Sequence, residues 1–563
     1  MRSLFTISSI RDDANDHSSA DSCPRRWFRL IGSIGLASVA TAVLTWPQLL
    51  FPGQVVDHFD PYFSVWRLGH IAHALKRWPV ALFDANIFYP AKGTLAYSDA
   101  TLLQGVLAAP LFWAGVSPTV IYNLLLYGGF ILSGAAIFVL ARHLTGSTPS
   151  SLVAVVIFVM LPYRVEHLMH LELQWALFIP LAFWAIHRTA ESGQWRHALL
   201  AGLFVWLQFL ASIYYGVFLS LTLLVFVPLM LTFRGHAPMR VFLGRLSVGG
   251  LTAALLSLSY LWPYFEASRV VGTRQELEIA QYSAHLTSYL ATSEWNRLWG
   301  WTADRWGAME LRLFPGALAV ILAAVGVFHP RKHYVALYAI VLAVVVALSL
   351  GLNGPLYRLL LDHIAPLQAF RAVARFGMIA GCAVAVLAAF GTQALLLHVS
   401  RRRWQRGLVL VLIAILFTEY SNRSIPLSYA IASTPADAYK ALSLAEEGAM
   451  VEMPLPVLNA LPNFDPYYQG WAVWHWRPLL NGYSGFIPAA YAKAVTDLEN
   501  FPDAQSIATL RALNIRFVMV HQGFYEPDEY IDLALKLAAT PALKLWGTYK
   551  DPVGDAHIFA VEP

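Results

Sequence analysis

Ionisable side chains are scarce in this chain. Aspartate, glutamate, lysine and arginine make up 13% of its 563 residues, whereas 57% are hydrophobic. A soluble domain carries about 25% charged residues, so the composition excludes an ordinary soluble protein and predicts an α-helical protein that crosses a membrane several times. Cysteine is scarcer still, with Cys23 in a polar tail and Cys382 in an apolar stretch, so no disulfide framework is expected.

Several sequence motifs are absent as well. The chain has no P-loop, no Rossmann glycine fingerprint, no Cys/His zinc spacing and no Gly-x-Ser-x-Gly elbow, which argues against coupling to nucleotide hydrolysis. The middle parts of the apolar stretches hold almost no charge, which argues against an ion-coupled transport pathway. Basic residues predominate before Ser421 and cluster in short turns. This pattern is typical of the positive-inside rule and not of nucleic-acid binding.

A membrane span needs about 20 mostly apolar residues. By this measure residues 30–420 form a transmembrane domain of about eleven helices, preceded by a cytoplasmic polar tail at 1–29 and followed by a soluble α/β domain at 421–563. A further apolar stretch at 101–116 is expected to dip into the membrane. The predicted spans are 30–56, 119–141, 148–163, 172–187, 197–212, 214–233, 246–263, 313–329, 334–351, 376–398 and 407–420.

The strongly basic turns alternate with these spans. With the arginine-rich N-terminus in the cytoplasm, every such turn is cytoplasmic, as the positive-inside rule requires. The C-terminal domain and the long loops 52–118, 164–171 and 264–312 then lie outside, and we expect the protein in the bacterial inner membrane. Most of the candidate site residues fall in these outer loops or in the C-terminal domain.

A pair of acids, Asp57 and Asp60, follows the first span. A carboxylate pair at the outer mouth of a span can act as general base, orient an acceptor, or hold a divalent cation such as Mg²⁺ or Mn²⁺. The alternative is a solvated loop in which Asp60 starts a helix. The aromatic residues that follow favour a helix at the membrane interface. We predict Asp57 and Asp60 as the catalytic residues.

A second polar cluster follows the third span and contains Glu166, His167, His170 and Glu172. Ionisable groups at membrane depth cost a few kcal/mol each and are therefore functional candidates. The alternative is an interfacial helix cap in which Arg164 pairs with Glu166. We predict a second acidic motif here, with Glu166 joining the two aspartates around any metal ion. No other cofactor is expected.

Several arginines lie in or beside the outer loops, where the positive-inside rule disfavours them. A lipid phosphate would explain them because guanidinium groups bind phosphate well, and ion pairs with loop carboxylates are the alternative. The candidates for binding a lipid phosphate or the substrate are Arg67, Arg164, Arg274, Arg371 and Arg375.

The soluble domain contains a segment dense in aromatic and amide side chains, between Tyr467 and Phe486. Sugars bind by stacking on aromatic faces and by planar hydrogen bonds, whereas a rim of tryptophan and tyrosine facing the membrane is the alternative. The candidates for contact with a sugar or an acceptor are Trp474, His475, Trp476, Arg477, Asn481 and Tyr483.

The first-loop sequence DHFDPYFSVWR, from Asp57 to Arg67, resembles the first-loop motif of the oligosaccharyltransferase catalytic subunit. The Tyr-Pro pair at 89–90 is similar to an element later in that loop, and residues 474–485 are similar to a segment of bacterial GT-C-like membrane proteins. The chain thus resembles the GT-C superfamily of integral-membrane glycosyltransferases, which has a cytoplasmic N-terminus, a large first outer loop and a C-terminal outer domain.

The resemblance implies a catalytic or metal-holding acid in the first loop, here Asp57 or Asp60, and a second acid after span three, here Glu166 or Glu172. The Trp-Trp-Asp-Tyr-Gly acceptor motif of the oligosaccharyltransferase is absent, and its second Asp-x-Asp is replaced by glutamate and histidine. A peptide acceptor is therefore not expected.

The functional hypothesis is a membrane glycosyltransferase that uses a polyprenyl-phosphate-linked sugar as donor, with Asp57 as the first choice of base. Its partners would be membrane lipid and a cell-envelope glycan or glycolipid as acceptor. The rival hypothesis is a non-catalytic lipid-linked glycan translocator or assembly factor on the same scaffold.

Overall fold

The chain folds into a bundle of apolar helices followed by an α/β unit. The computed structural model describes residues 23–232, 237–429, 431, 434–457 and 462–562, so most of the predicted tail at 1–29 lies outside the described residues. The helices of the bundle and its loops are α1 (Cys23–Leu44), α2 (Phe59–Arg77), α3 (Leu102–Trp113), α4 (Pro118–Thr145), α5 (Thr148–Val159), α6 (Pro162–Glu166), α7 (Phe178–Ser192), α8 (Trp195–Ala211), α9 (Ile213–Thr232), α10 (Met239–Val271), α11 (Glu276–Gln281), α12 (Ala303–Trp306), α13 (Ala317–Val325), α14 (Lys332–Ser349), α15 (Pro355–His363), α16 (Gly377–Leu397) and α17 (Arg402–Glu419).

Seven helical stretches in the described residues are long and apolar enough to cross a membrane, which together with the composition makes the chain a multi-pass membrane protein. They are Trp27–Leu44, Pro118–Thr145, Thr148–Glu166, Ile213–Thr232, Met239–Val271, Lys332–Ser349 and Val373–Leu397. The other predicted spans fall on the shorter helices α7, α8 and α13 and on the arginine-rich α17. The count of eleven therefore stays a prediction.

The first and fourth predicted spans are longer than the helices that form there. The first was expected over 30–56, but α1 ends at Leu44, because Pro47 and Pro52 cannot continue a helix. The span expected at 172–187 begins only at Phe178. Its first residues form a tight turn, held by the Gln174 amide, which donates to the carbonyl oxygen of His167 at 2.6 Å.

The centre of the bundle is α16, whose long apolar stretch is wholly buried among the other helices. It packs closely on α13, because Gly391 has no side chain and the Leu322 carbonyl occupies the space that a Cβ would fill. Only a glycine permits this approach of the two backbones.

The C-terminal unit contains a four-stranded mixed sheet, which confirms the predicted α/β domain. The strands are β3 (Ala449–Met453), β4 (Ile515–His521), β5 (Leu543–Asp551) and β6 (Gly554–Val561), in the order β3-β4-β6-β5, with β3 and β4 parallel and the other pairs antiparallel. The helices around the sheet are α18 (Asp437–Leu444), α19 (Asp465–Trp471), α20 (Ala489–Asp497), α21 (Ala504–Ala512) and α22 (Pro527–Ala538).

A two-stranded ribbon ties the start of the first long loop to the segment that leads into the C-terminal unit. Strand β1 (Val55–Val56) pairs antiparallel with β2 (Leu427–Ser428), and the backbone N–H of Asp57 donates to the Pro426 carbonyl at 3.0 Å. Residues far apart in sequence thus meet immediately before α2.

Candidate active site

Asp60 lies in the first turn of α2 and is the centre of a polar cluster. His58 caps this helix by accepting from the Asp60 backbone N–H, and a carboxylate in the first turn is favoured by the helix dipole. Oδ2 of Asp60 lies 3.2 Å from Nε2 of His170 and 3.2 Å from Nδ1 of His58. Oδ1 accepts a hydrogen bond of 3.0 Å from the Tyr483 hydroxyl. The Asp60 side chain keeps 13% of its surface exposed, so part of it remains accessible to solvent.

The ionised forms of Asp60 and His170 stabilise each other. Burial raises the pKa of Asp60, but the charges of His170 and His58 and their hydrogen bonds outweigh burial and hold this pKa well below its usual range. For His170, burial lowers the pKa, and the charge of Asp60 more than reverses this, so its pKa lies above the usual value. Asp60 is therefore ionised at neutral pH, with a histidine beside it that favours the charged form.

Glu310 brings the long loop between α10 and α13 to the same cluster. Its carboxylate receives two hydrogen bonds from Arg375, at 2.7 and 3.2 Å, and lies 3.9 Å from Nε2 of His170. Burial raises the pKa of Glu310, but the charges of Arg375 and the neighbouring histidines have the larger effect. The pKa of Glu310 therefore lies below its usual value. The backbone of Glu310 is in the left-handed region, with φ of 70°, a conformation that costs a non-glycine residue free energy and often marks functional sites.

Three of these side chains form a group that fits a metal ion. His167, His170 and Glu310 each offer a ligand atom, and these atoms lie within 4.8 Å of one another. Both ring nitrogens of His167 and Nδ1 of His170 are buried and have no hydrogen-bond partner among the described residues. Burial lowers the pKa of His167 to about 3, so its imidazole is neutral, the form that binds metals. Two imidazoles and a carboxylate suit Mn²⁺ or Zn²⁺ better than Mg²⁺, which prefers oxygen ligands.

This group differs from the metal set predicted from the sequence, which was Asp57, Asp60 and Glu166. Asp57 is exposed, and its carboxylate makes no hydrogen bond or ion pair within the described part of the chain. Glu166 pairs with Arg312 at 3.2 Å. Of the predicted set, Asp60 contacts His170 of the group, and Glu166 contacts the backbone of Glu310.

Glu166 is placed where it supports Glu310. Its Oε1 accepts the Glu310 backbone N–H at 3.3 Å, while Arg312, two residues further on, binds both carboxylate oxygens of Glu166. A buried acid of the second loop thus holds the left-handed backbone of Glu310. The Arg164–Glu166 pair considered as the alternative does not form, because the Arg164 guanidinium bonds to Gln174.

Glu172 forms an ion pair with Arg67. Its Oε2 lies 2.9 Å from a terminal nitrogen of Arg67, which also donates to Ser64 and to the Asp99 carbonyl. Burial and the charge of Glu172 raise the pKa of Asp99 to about 7. Arg67 is 2% exposed, so its guanidinium joins three segments of the protein and is not available to a lipid phosphate.

Of the arginines predicted to bind phosphate, three are largely buried and held by other groups of the protein, and two border the candidate site. The first three are Arg67, Arg164 and Arg274. Arg164 is fully buried, bonds to Gln174 and Ser133, and lies over the Phe130 ring, so it is structural like Arg67. Arg274 is 9% exposed and binds Glu278 and the Gly485 carbonyl.

The remaining two arginines border the candidate site. Arg375 pairs with Glu310. Arg371 binds Glu278 at 2.8 Å with 36% of its side chain exposed, and its charge acts on Tyr483. Arg371 is thus the most accessible of the five to a substrate anion.

The predicted sugar-contact residues of the C-terminal domain are mostly structural. Arg477 donates to the backbone carbonyls of Leu442, Ala445 and Glu446 at the end of α18, where cations stabilise a helix terminus. The His475 side chain is buried and stacks on Tyr439, and Asn481 bonds within the core of the domain. Trp474 is half-buried, and Trp476 stacks on His73. Of these predicted residues, Tyr483 alone contacts Asp60.

Sequence reasoning missed Glu310 and Arg312. They stand directly before the apolar stretch at 313–329, just as Asp57 and Asp60 stand directly after the first one. An acid at the end of an apolar stretch is thus a signal that the first loop and the loop before residue 313 share.

An apolar cavity of about 490 Å³ lies beside the polar cluster, between α13, α14 and α16. Gly377, two residues after Arg375, is part of its wall. Other lining residues are Leu161, Leu290, Leu313, Ile321, Val346 and Val384. The wall of the cavity thus includes residues that directly follow Arg312 or lie two positions after Arg375 in the chain.

These features define a multi-pass membrane protein with an Asp/His/Glu site built by loops at one end of its helix bundle. A family model described as a domain of unknown function, DUF6311, matches residues 47–418. The chain belongs to this family. No curated protein sequence matches it.

Three solved structures show a low similarity to this chain. The archaeal oligosaccharyltransferase AglB from Archaeoglobus fulgidus, in complex with an inhibitory peptide and a dolichol-phosphate, is 13% identical with a TM-score of 0.47, over 95% of this chain and 74% of that one. The apo form of an A. fulgidus oligosaccharyltransferase is 14% identical, with a TM-score of 0.43 over 94% and 75%. Apo ArnT from Cupriavidus metallidurans is 10% identical, with a TM-score of 0.47 over 96% and 98%.

Proposed function

We propose that this protein is a membrane glycosyltransferase that transfers a sugar from a polyprenyl-phosphate-linked donor to a hydroxyl group of a cell-envelope glycan or glycolipid, on the outer face of the bacterial inner membrane. The observation that carries the proposal is the surroundings of Asp60: an ionised, partly exposed carboxylate that His170 and Tyr483 hold from two sides. The resemblance of the Asp57–Arg67 segment to a GT-C first-loop motif supports the same conclusion.

In this proposal Asp60 is the general base. The acceptor hydroxyl gives its proton to Asp60 as its oxygen bonds to the anomeric carbon of the sugar. The bond from that carbon to the phosphate oxygen breaks, and polyprenyl phosphate leaves with the electron pair. General base catalysis contributes about 10²- to 10⁴-fold to a rate. When no cation is bound, the charge of His170 keeps the Asp60 carboxylate in the ionised form that this step needs.

The surroundings of the cluster suit an amphipathic donor. Arg371 is a partly exposed guanidinium whose charge acts on Tyr483, and guanidinium groups bind phosphate in a bidentate manner. The apolar cavity begins at Gly377, close in the chain to Arg375, and accommodates part of a polyprenyl chain. A polar head would then lie near Asp60 while the chain remains among apolar helices.

A divalent cation fits the site as a further component. His167, His170 and Glu310 would hold it, and it would supply charge stabilisation for a phosphate leaving group. The chain's own contribution is to keep His167 neutral and unbonded and to fix Glu310 through Glu166 and Arg375.

The test is transfer measured with the strain's own lipids. Membranes of a deletion strain containing the wild-type protein or a variant are given polyprenyl-phosphate-linked sugars extracted from that strain, and glycan products are quantified by mass spectrometry. Asp60→Asn is expected to lower the initial rate about 100-fold or more. Asp528→Asn, on the exposed face of α22, is the control and is expected to keep the wild-type rate.

Two outcomes contradict the proposal. Asp60→Asn membranes that transfer sugar at the wild-type rate exclude Asp60 as the base. A deletion strain that forms all glycosidic bonds but accumulates lipid-linked glycan on the cytoplasmic face identifies the translocator function instead.

A further inference from the structure

The C-terminal domain contributes one side chain to the polar cluster. The Tyr483 hydroxyl donates to Oδ1 of Asp60 at 3.0 Å, while His170 and His58 both face the other oxygen. Tyr483 is therefore the single described side chain that orients Oδ1. Burial and the charge of Asp60 raise the pKa of Tyr483, so the phenol keeps its proton and remains a hydrogen-bond donor.

The backbone around Tyr483 is fixed by the core of the C-terminal domain. The Tyr483 N–H donates to Oε1 of Gln469 at 2.7 Å. The amide of Asn481 bonds to both backbone groups of Glu452 in β3, at 2.8 and 2.9 Å, and to the Asp465 carboxylate at 3.0 Å. A buried amide that makes all these bonds holds the segment in one conformation.

The same segment is bonded to the first loop of the membrane domain. The Phe88 N–H donates to the Asn481 carbonyl at 3.1 Å. Gly482 lies so close to the Phe88 ring that an added Cβ would approach it to 2.7 Å, and the Tyr483 ring packs edge-on against Phe63 of α2. Tyr483 is thus positioned from both the C-terminal domain and the membrane domain.

We propose that Tyr483 is a positioning residue of the transferase, through which the C-terminal domain completes the catalytic centre. Its hydroxyl holds Oδ1 of Asp60, so that the carboxylate keeps the orientation needed to accept the proton of the acceptor hydroxyl. The inference rests on the proposed function, because it requires Asp60 to be the base.

The experiment uses the full-length protein in deletion-strain membranes and the same extracted polyprenyl-phosphate-linked sugars at varied concentration. Tyr483→Phe removes the hydroxyl alone. A hydrogen bond to a charged group supports a rate loss of about tenfold to a hundredfold. This loss is expected in the maximal rate, with the half-saturating donor concentration within about twofold of wild type, because the interaction acts on the base and not on donor binding.

A second variant disturbs the contact between Tyr483 and Asp60 but leaves the Tyr483 hydroxyl in place. Gly482→Ala places a methyl group against Phe88 and displaces Tyr483 from Asp60, so it is expected to lower the maximal rate as well. Tyr530→Phe, whose hydroxyl has no hydrogen bond among the described residues, is the matched control with the wild-type rate. Thermal unfolding of each purified variant establishes that it is folded.

The outcomes separate this inference from the proposed function. If Asp60→Asn is inactive and Tyr483→Phe keeps the wild-type maximal rate, Tyr483 is not a positioning residue, although the transferase proposal stands. If Tyr483→Phe changes only the half-saturating concentration, the residue binds donor, and the inference is overturned. If Asp60→Asn remains active, both proposals fall.

Discussion

Nε2 of His170 lies 3.2 Å from Oδ2 of Asp60, although one residue follows the third predicted span and the other the first. This ion pair joins the two loops whose acids and histidines the sequence pointed to separately. Asp57 is exposed, and its carboxylate has no ion-pair partner among the described residues, so our proposal gives the role of base to Asp60.

The two aspartates are expected to differ in activity. Asp60→Asn should reduce the transfer rate about 100-fold or more, since it removes the base and its ion pair with His170. Asp57→Asn should change the rate less than about threefold, because an exposed carboxylate interacts weakly with its surroundings. Initial rates of the two variants in one membrane assay make the comparison. The reverse order of effects would restore Asp57 as the base.

Cation binding to the His167/His170/Glu310 group should weaken as the pH falls. The proton on His170 competes with the cation, and the pKa of His170 lies above its usual value, so affinity is lost below that raised pKa and recovered above it. Calorimetric titration with Mn²⁺ at roughly pH 6 and roughly pH 8 measures this. Glu310→Gln should abolish the binding and Glu294→Gln, at the exposed rim, should preserve it. Equal affinity at both pH values would exclude His170 as a ligand.

Chelation should lower the transfer rate of the same membranes. We expect Mn²⁺ or Zn²⁺ to restore it more effectively than Mg²⁺, because two of the three donors are imidazole nitrogens. Full activity after exhaustive chelation would show that transfer needs no cation.

Filling the apolar cavity should weaken use of the long-chain donor. Ala380 lines the cavity on α16, and Ala380→Phe is expected to raise the half-saturating concentration of the extracted donor about tenfold or more, in line with the apolar area lost from the lipid contact. A short-chain donor with the same head group is the internal control and should be used equally well by both proteins. An equal effect on both donors would point to a general loss of fold.

Arg67 and Arg371 should separate structure from substrate binding. Arg67→Met leaves Glu172 buried without its partner, which costs about 3–5 kcal/mol of unfolding free energy. Arg371→Met removes a half-exposed group, so stability should change by less than about 1 kcal/mol while the half-saturating donor concentration rises. Thermal unfolding and donor titration of both variants provide the measurements. A stable Arg67→Met protein would contradict the structural role given to Arg67.

The C-terminal domain should lose stability at alkaline pH. His521 lies buried between Glu452 and Asp551, and their hydrogen bonds and charges outweigh burial and raise its pKa to about 9. A raised pKa contributes stability that is complete below the unfolded value of about 6.5 and is lost as pH rises through about 9. Unfolding free energy should fall by roughly 1–3 kcal/mol between these values, and His521→Gln should remove the dependence.

The sequence by itself determined the class of protein and the places where its polar residues concentrate. Apolar length and the scarcity of charge fixed the helices, because burying a backbone in lipid leaves few other structures. Short apolar runs after residue 421 predicted the strands of the C-terminal α/β domain. Asp60, His167 and His170 were recognisable because ionisable groups at the end of a span are costly unless they have a use.

Only the tertiary structure decided which of these groups meet. The separation of Asp57 from Asp60, the burial of Arg67 and the arrival of Glu310 and Tyr483 all depend on contacts between segments far apart in the chain. An arginine that binds phosphate and one that pairs with a buried acid look alike in sequence, because burial and partners are properties of the packed molecule.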